Sequence, residues 1–186
     1  MKKMPVSKRV ADLDIITLAA PDVDSPLNLT VVYQDQDTKV WAREVSDAVV
    51  RSAGEHKVCA TWWKLEHLAQ PGVLAGAVST ALKAQIIVVA VTAAEGLPYP
   101  FYVWVESWLQ HRRPRSGALI ALLSLPRRSE ARAHQARQYL RDLAQQGGLE
   151  FLLEERPLVT EPAVKSEEGY FVRHDLTLPF RVVEPC

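Results

Sequence analysis

The strongest constraint on this chain is a set of short runs in which every position is apolar. Ile86-Ile87-Val88-Val89-Ala90-Val91 and Ala118-Leu119-Ile120-Ala121-Leu122-Leu123 have no polar side to turn toward water. A strand with one wet face alternates polar and apolar residues, so an unbroken run marks a strand covered on both faces. Such strands belong to parallel sheets with helices packed above and below. Three further β-branched or apolar runs, Leu29–Tyr33, Lys57–Trp63 and Leu149–Leu153, complete the set.

Helical patterns separate these runs. The first follows Asp37, a suitable N-cap, and places Trp41, Ala42, Val45, Ala48, Val49 and Ser52 on one side. The second has Pro71 in its first turn and repeats Val73, Leu74, Ala77, Val78, Ala81 and Leu82. The third begins near Pro100 and ends before Pro114. The fourth runs from about Ser129 to Gln146, where Gly147-Gly148 stops it, with Ala133, Ala136, Leu140 and Leu143 inward.

This alternation specifies an α/β fold: a single doubly wound parallel sheet of five strands over residues 28–154. Residues 1–27 and 155–186 read as extended arms, the second rich in proline. In element order the domain resembles the flavodoxin-like fold and the response-regulator receivers. That resemblance implies strand order 2-1-3-4-5. Helices 1 and 4 are expected on one face, with helices 2 and 3 on the other.

A length of 186 residues suffices to bury a core. The formal charge of zero removes any long-range attraction to nucleic acid or anionic membrane. Apolar stretches fall short of a membrane span, no secretory signal is evident, and a cytoplasmic protein is expected. Cys59 and Cys186 are too few for a disulfide framework or a cysteine-rich zinc site, and Cys59 is expected to be buried. The five histidines are scattered.

In open α/β sheets a ligand binds beyond the carboxyl ends of the strands, where the strand order reverses. The residues expected there are Asp35 and Asp37 after strand 1, Thr92 and Glu95 after strand 3, and Ser124, Arg127 and Arg128 after strand 4. Receiver chemistry needs an acceptor aspartate ending strand 3 and a lysine ending strand 5. Thr92 and Glu154-Glu155 occupy those places, so phosphorylation on aspartate is not expected. The segment Gln34–Lys39, where a flavodoxin-like phosphate loop would lie, has no glycine and carries two carboxylates. The dinucleotide fingerprint, the P-loop, the nucleophile elbow and the zincin motif are all absent. No cofactor is assigned.

Two features exceed what the fold needs. Around helix 3, Phe101, Val105 and Trp108 read as core, while Tyr102, Trp104 and Leu109 read as surplus, either covered by the arms or forming a subunit interface. An arginine-rich stretch from Arg112 to Arg141 reads as a solvated surface, with Arg127-Arg128 before helix 4 as a possible anion site. In the carboxyl-terminal arm Tyr170, Val172, Leu176, Leu178 and Phe180 alternate with polar residues, as in an extended segment with one buried side. Together these suggest a non-catalytic regulatory or scaffolding domain acting through protein contacts as a homodimer. The alternative is a protein or enzyme for a small anionic ligand, a nucleotide or flavin, at the crevice between strands 1 and 3.

Overall fold

The computed structural model describes residues 26–53, 58–93, 96–113, 116–126 and 130–158, with Glu130 described in its backbone alone. Most of both arms, residues 1–25 and 159–186, and with them Tyr170, Val172, Leu176, Leu178 and Phe180, lies outside the described residues, whereas Leu27 and residues 155–157 belong to strands of the sheet. The elements are β1 (Leu27–Tyr33), α1 (Gln36–Ala53), β2 (Val58–Lys64), a 3-10 helix (Leu65–Ala69), α2 (Pro71–Lys83), β3 (Ile86–Thr92), α3 (Tyr99–Leu109), β4 (Ala118–Leu125), α4 (Glu130–Gln146) and β5 (Glu150–Pro157). The 3-10 helix was not expected from the sequence; it buries Leu65 and Leu68.

The five strands are parallel, as the alternation of elements requires, and ordered β2-β1-β3-β4-β5, as the flavodoxin-like resemblance implies. The apolar runs behave as both-face burial requires. Ile86 to Val91 and Ala118 to Leu123 are all fully buried.

The layers differ from expectation. Trp41, Ala42, Val45 and Val49 of α1 share one core with Leu29, Val31, Ile86, Val88, Ile120, Leu122 and Leu152. The buried residues of α2, α3 and α4 share the other core with Val32, Ile87, Val89, Val91, Leu119 and Leu123. Helix α4 therefore lies with α2 and α3, not with α1. The cause is crossover handedness. The chain steps from β1 to β2 in one direction and through β3, β4 and β5 in the other. Right-handed crossovers thus send α1 to one face and the other three helices to the opposite face.

Three helices on one face also account for the aromatics of α3. Trp104 is 0% exposed, packed 5.7 Å from Phe101 and 5.6 Å from Trp108 between ring centroids, so its side chain offers nothing to a partner. Tyr102 and Leu109 are half-buried against the same core. Tyr102 meets Tyr139 of α4 edge-on at 4.8 Å. Flanks of α3 that look surplus over a bare sheet are the contacts to its neighbouring helices.

The pairing has a consequence in alkali. Burial, with Tyr102 and Glu106 nearby, pushes the Tyr139 phenol up to about 12. An unfolded tyrosine loses its proton near pH 10. Between those values the unfolded chain binds fewer protons, so stability falls as pH rises from about 10 through 12. Tyr139→Phe is expected to flatten that part of the stability curve; urea melts across the alkaline range measure it.

Two other expectations are corrected. Cys59 is half-buried on the edge strand β2, because an edge strand lacks a neighbour on one side. Arg112 does not belong to a solvated surface: it is 9% exposed, at the end of the α3 turn. Its Nη1 donates to Ala81 O and its Nη2 to Ala84 O, each at 2.9 Å, and its guanidinium lies over Trp108. It closes the carboxyl terminus of α2, where carbonyls are left over and the dipole favours a cation. Further along the stretch, Arg137 pairs with Glu155 and Arg141 covers Phe151.

Candidate functional site

The carboxyl edge between β1 and β3 is where the chain divides. After β1 it turns toward α1 on one face, and after β3 toward α3 on the other. The two central strands change character here at the same rung. Along β3 every residue from Ile86 to Val91 is buried and apolar, and then comes half-buried Thr92. Along β4 the buried run ends at Leu123, followed by half-buried Ser124. Thr92 and Ser124 are register partners, so their side chains leave the sheet on the same face. Arg156 of β5 is next in that row, paired with Ser124, and holds Glu44 of α1 at 3.0 Å while lying over Trp41.

The turn from β1 into α1 is only Gln34 and Asp35 long. Gln34 was not singled out in the sequence, yet it extends the β1–β3 ladder. Its backbone N–H donates to Ala90 O at 3.1 Å, and its side-chain Oε1 accepts from Thr92 N at 3.0 Å. Nothing about an isolated glutamine signals this; the partner lies 58 residues away.

Asp35 is the N-cap of α1, displacing Asp37 from that role. Its Oδ1 accepts from Thr38 N and from Thr38 Oγ1, both at 2.8 Å. In return Thr38 Oγ1 lies 2.9 Å from Asp35 N and 3.2 Å from Gln34 N, accepting from them. This is a reciprocal cap in which threonine takes the place usually held by glutamate or glutamine. The other oxygen, Oδ2, is 3.5 Å from Thr92 Oγ1. Asp37 is exposed in the first helical turn.

These contacts decide whether the turn fits a phosphate of the kind a flavin mononucleotide carries. A helix N-terminus attracts an anion by about 0.3–1 kcal/mol per favourable charge. A phosphate charge about 5 Å from a carboxylate is repelled by about 1 kcal/mol in water and about 3 kcal/mol at an effective dielectric near 20. The Asp35 carboxylate already holds the Thr38 donor, and the turn is too short to wrap a second anion. The residues present do not fit a phosphate there.

At the rim, Lys64 and Glu66 are joined at 2.6 Å, a hydrogen bond that raises the lysine and lowers the glutamate from their ordinary pKa values. Trp63 donates its indole N–H to Thr80 Oγ1 at 3.0 Å. Of the residues expected at the site, Asp35 and Thr92 are brought together, Ser124 joins Thr92 in register, and Asp37 stands apart in solvent. Glu95, Arg127 and Arg128 lie outside the described residues. Among the described residues no group of three or more His, Cys, Asp or Glu could hold a metal ion. No helix of the described residues is long and apolar enough to cross a membrane.

No protein-family model and no curated protein matches the chain. Solved structures do resemble it. The Trp repressor binding protein of Bacillus subtilis is 12% identical, with a TM-score of 0.46, over 69% of this chain and 84% of that one. The azoreductase of Bacillus anthracis is 12% identical, with a TM-score of 0.48, over 69% and 86%. An oxidoreductase of Corynebacterium diphtheriae is 15% identical, with a TM-score of 0.46, over 69% and 79%. At these identities the likeness is one of fold. Two of the three carry enzyme names, against the expectation of a non-catalytic scaffolding domain, but a likeness of fold assigns no activity to this chain.

Proposed function

We propose that the chain binds a small anionic ligand, of the nucleotide or flavin class, in the carboxyl-edge crevice between β1 and β3. One observation carries this reading. Both central strands, apolar and buried along their length, turn polar at one shared rung, Thr92 and Ser124, at the edge where the chain divides. Facing a ligand, the two hydroxyls supply donors and acceptors of adjustable direction. Glu95 and the pair Arg127-Arg128, next along the chain from these strands, complete the proposed site. Arg127 and Arg128, three and four residues after Ser124 in the sequence, carry the positive charge an anionic ligand needs.

Native mass spectrometry of the purified protein, with thermal shifts against a panel of nucleotides and flavins, tests it. The expected result is a retained or added small molecule. Thr92→Val, which keeps the shape and removes the hydroxyl, should weaken it roughly tenfold. A preparation with no bound small molecule and no thermal shift from any member of the panel overturns the proposal.

A further inference from the structure

We infer that Asp35 sets the direction in which a ligand lies along the edge, by excluding phosphate from the amino terminus of α1. This rests on the reading that the carboxyl edge is the ligand site. An open helix N-terminus at such an edge is a ready position for an anion, offering backbone N–H groups and the positive end of the dipole. Here the chain fills that position itself. Asp35 Oδ1 takes both the backbone N–H and the hydroxyl of Thr38. The Thr38 hydroxyl in turn engages the N–H groups of Asp35 and Gln34. Three backbone donors of the turn are thereby engaged, and a full negative charge stands where a ligand's anion would approach. The other oxygen, Oδ2, accepts from the Thr92 hydroxyl at 3.5 Å, so the carboxylate's charge stands beside the β3 end of the proposed site. A ligand meets a carboxylate between β1 and β3, and its own anion must lie toward β4.

The test uses inorganic phosphate at constant ionic strength, followed by the amide resonances of Gln36, Asp37 and Thr38 in the isotope-labelled full chain. It reads the turn itself, so it answers whether or not a nucleotide or flavin binds elsewhere on the edge. In the native protein these amides are expected not to shift saturably. In Asp35→Ser, which keeps a capping oxygen and removes the charge, they should titrate, with phosphate affinity raised roughly tenfold. Asp35→Asn serves as the second variant if the serine protein does not fold. Asp37→Asn removes the same charge from the same turn without touching the cap and should leave the amides nearly unmoved. Saturable binding in the native protein overturns the inference. So does an unresponsive, folded Asp35 variant, or an equal gain in Asp37→Asn.

Discussion

Gly117→Ala is expected to lower stability by about 3 kcal/mol, the upper end of ordinary overpacking. A Cβ at Gly117 would stand 2.3 Å from Gln85 O and 2.9 Å from Leu149 Cδ2. Side chains can swing away, but this oxygen is backbone and already in use: it accepts from Ala118 N at 2.9 Å. The carbonyl of Gly117 itself accepts from Glu150 N at 2.8 Å. Relieving the clash therefore disturbs the entry of β4 on both sides, toward β3 and toward β5. The reduced freedom of an unfolded alanine returns only about 0.4–1 kcal/mol, so the clash wins. Urea unfolding should show a lower midpoint with an unchanged slope. A loss below about 0.5 kcal/mol, the scale of an ordinary surface change, would mean that the strand entry is softer than these contacts imply.

The second large effect is expected at Arg112. Replacing it with methionine keeps much of the apolar stem but leaves the carbonyls of Ala81 and Ala84 without the donors that reach them. An abandoned buried acceptor costs about 1–3 kcal/mol, and bonds from a charged donor are the stronger kind. About 3 kcal/mol is expected for Arg112→Met. Arg112→Lys should recover only part of it, since one ammonium cannot match the fork that spans two carbonyls. Thermal melts of the three proteins measure the order. Equal stability of the lysine and arginine forms would refute the forked contact.

How much of this was legible in the sequence depends on the distance over which each feature is determined. The strands were readable because burial on both faces is written into consecutive residues, as in Ile86 to Val91. The strand order was implied by the resemblance to the flavodoxin-like fold, since the alternation of elements by itself gives only a doubly wound parallel sheet. The layers were misjudged although the handedness rule suffices to derive them, since only the β1–β2 step runs against the others. Trp104 was misjudged for the same reason, because its burial depends on helices that share its face. Arg112 and Gln34 could not be read at all. The carbonyl of Ala84 that holds Arg112 is 28 residues away, and the Thr92 amide that holds Gln34 is 58 away. At the site, Asp35 and Thr92 were named from their places after β1 and β3. That Asp35 rather than Asp37 caps α1 depends on a two-residue turn whose length no residue pattern announces.

The strand order also bears on how the sheet assembles. Where β1 meets β2, the hydroxyls of Thr30 and Thr61 touch at 3.2 Å across 31 residues of chain. Where β1 meets β3, Asn28 N reaches Gln85 Oε1 across 57 residues, because the whole of α1, β2 and α2 intervenes. Non-local pairings of this kind are what make parallel sheets slow to form. The entropy of closing the longer loop exceeds that of the shorter by only about 0.6 kcal/mol per doubling, but it must be met before any contact rewards it. The crevice proposed for the ligand thus straddles the seam that the longest excursion of the described chain has to close. A molecule bound across it would act as a latch on that excursion, holding together two strands whose connection through the backbone is the least direct in the sheet.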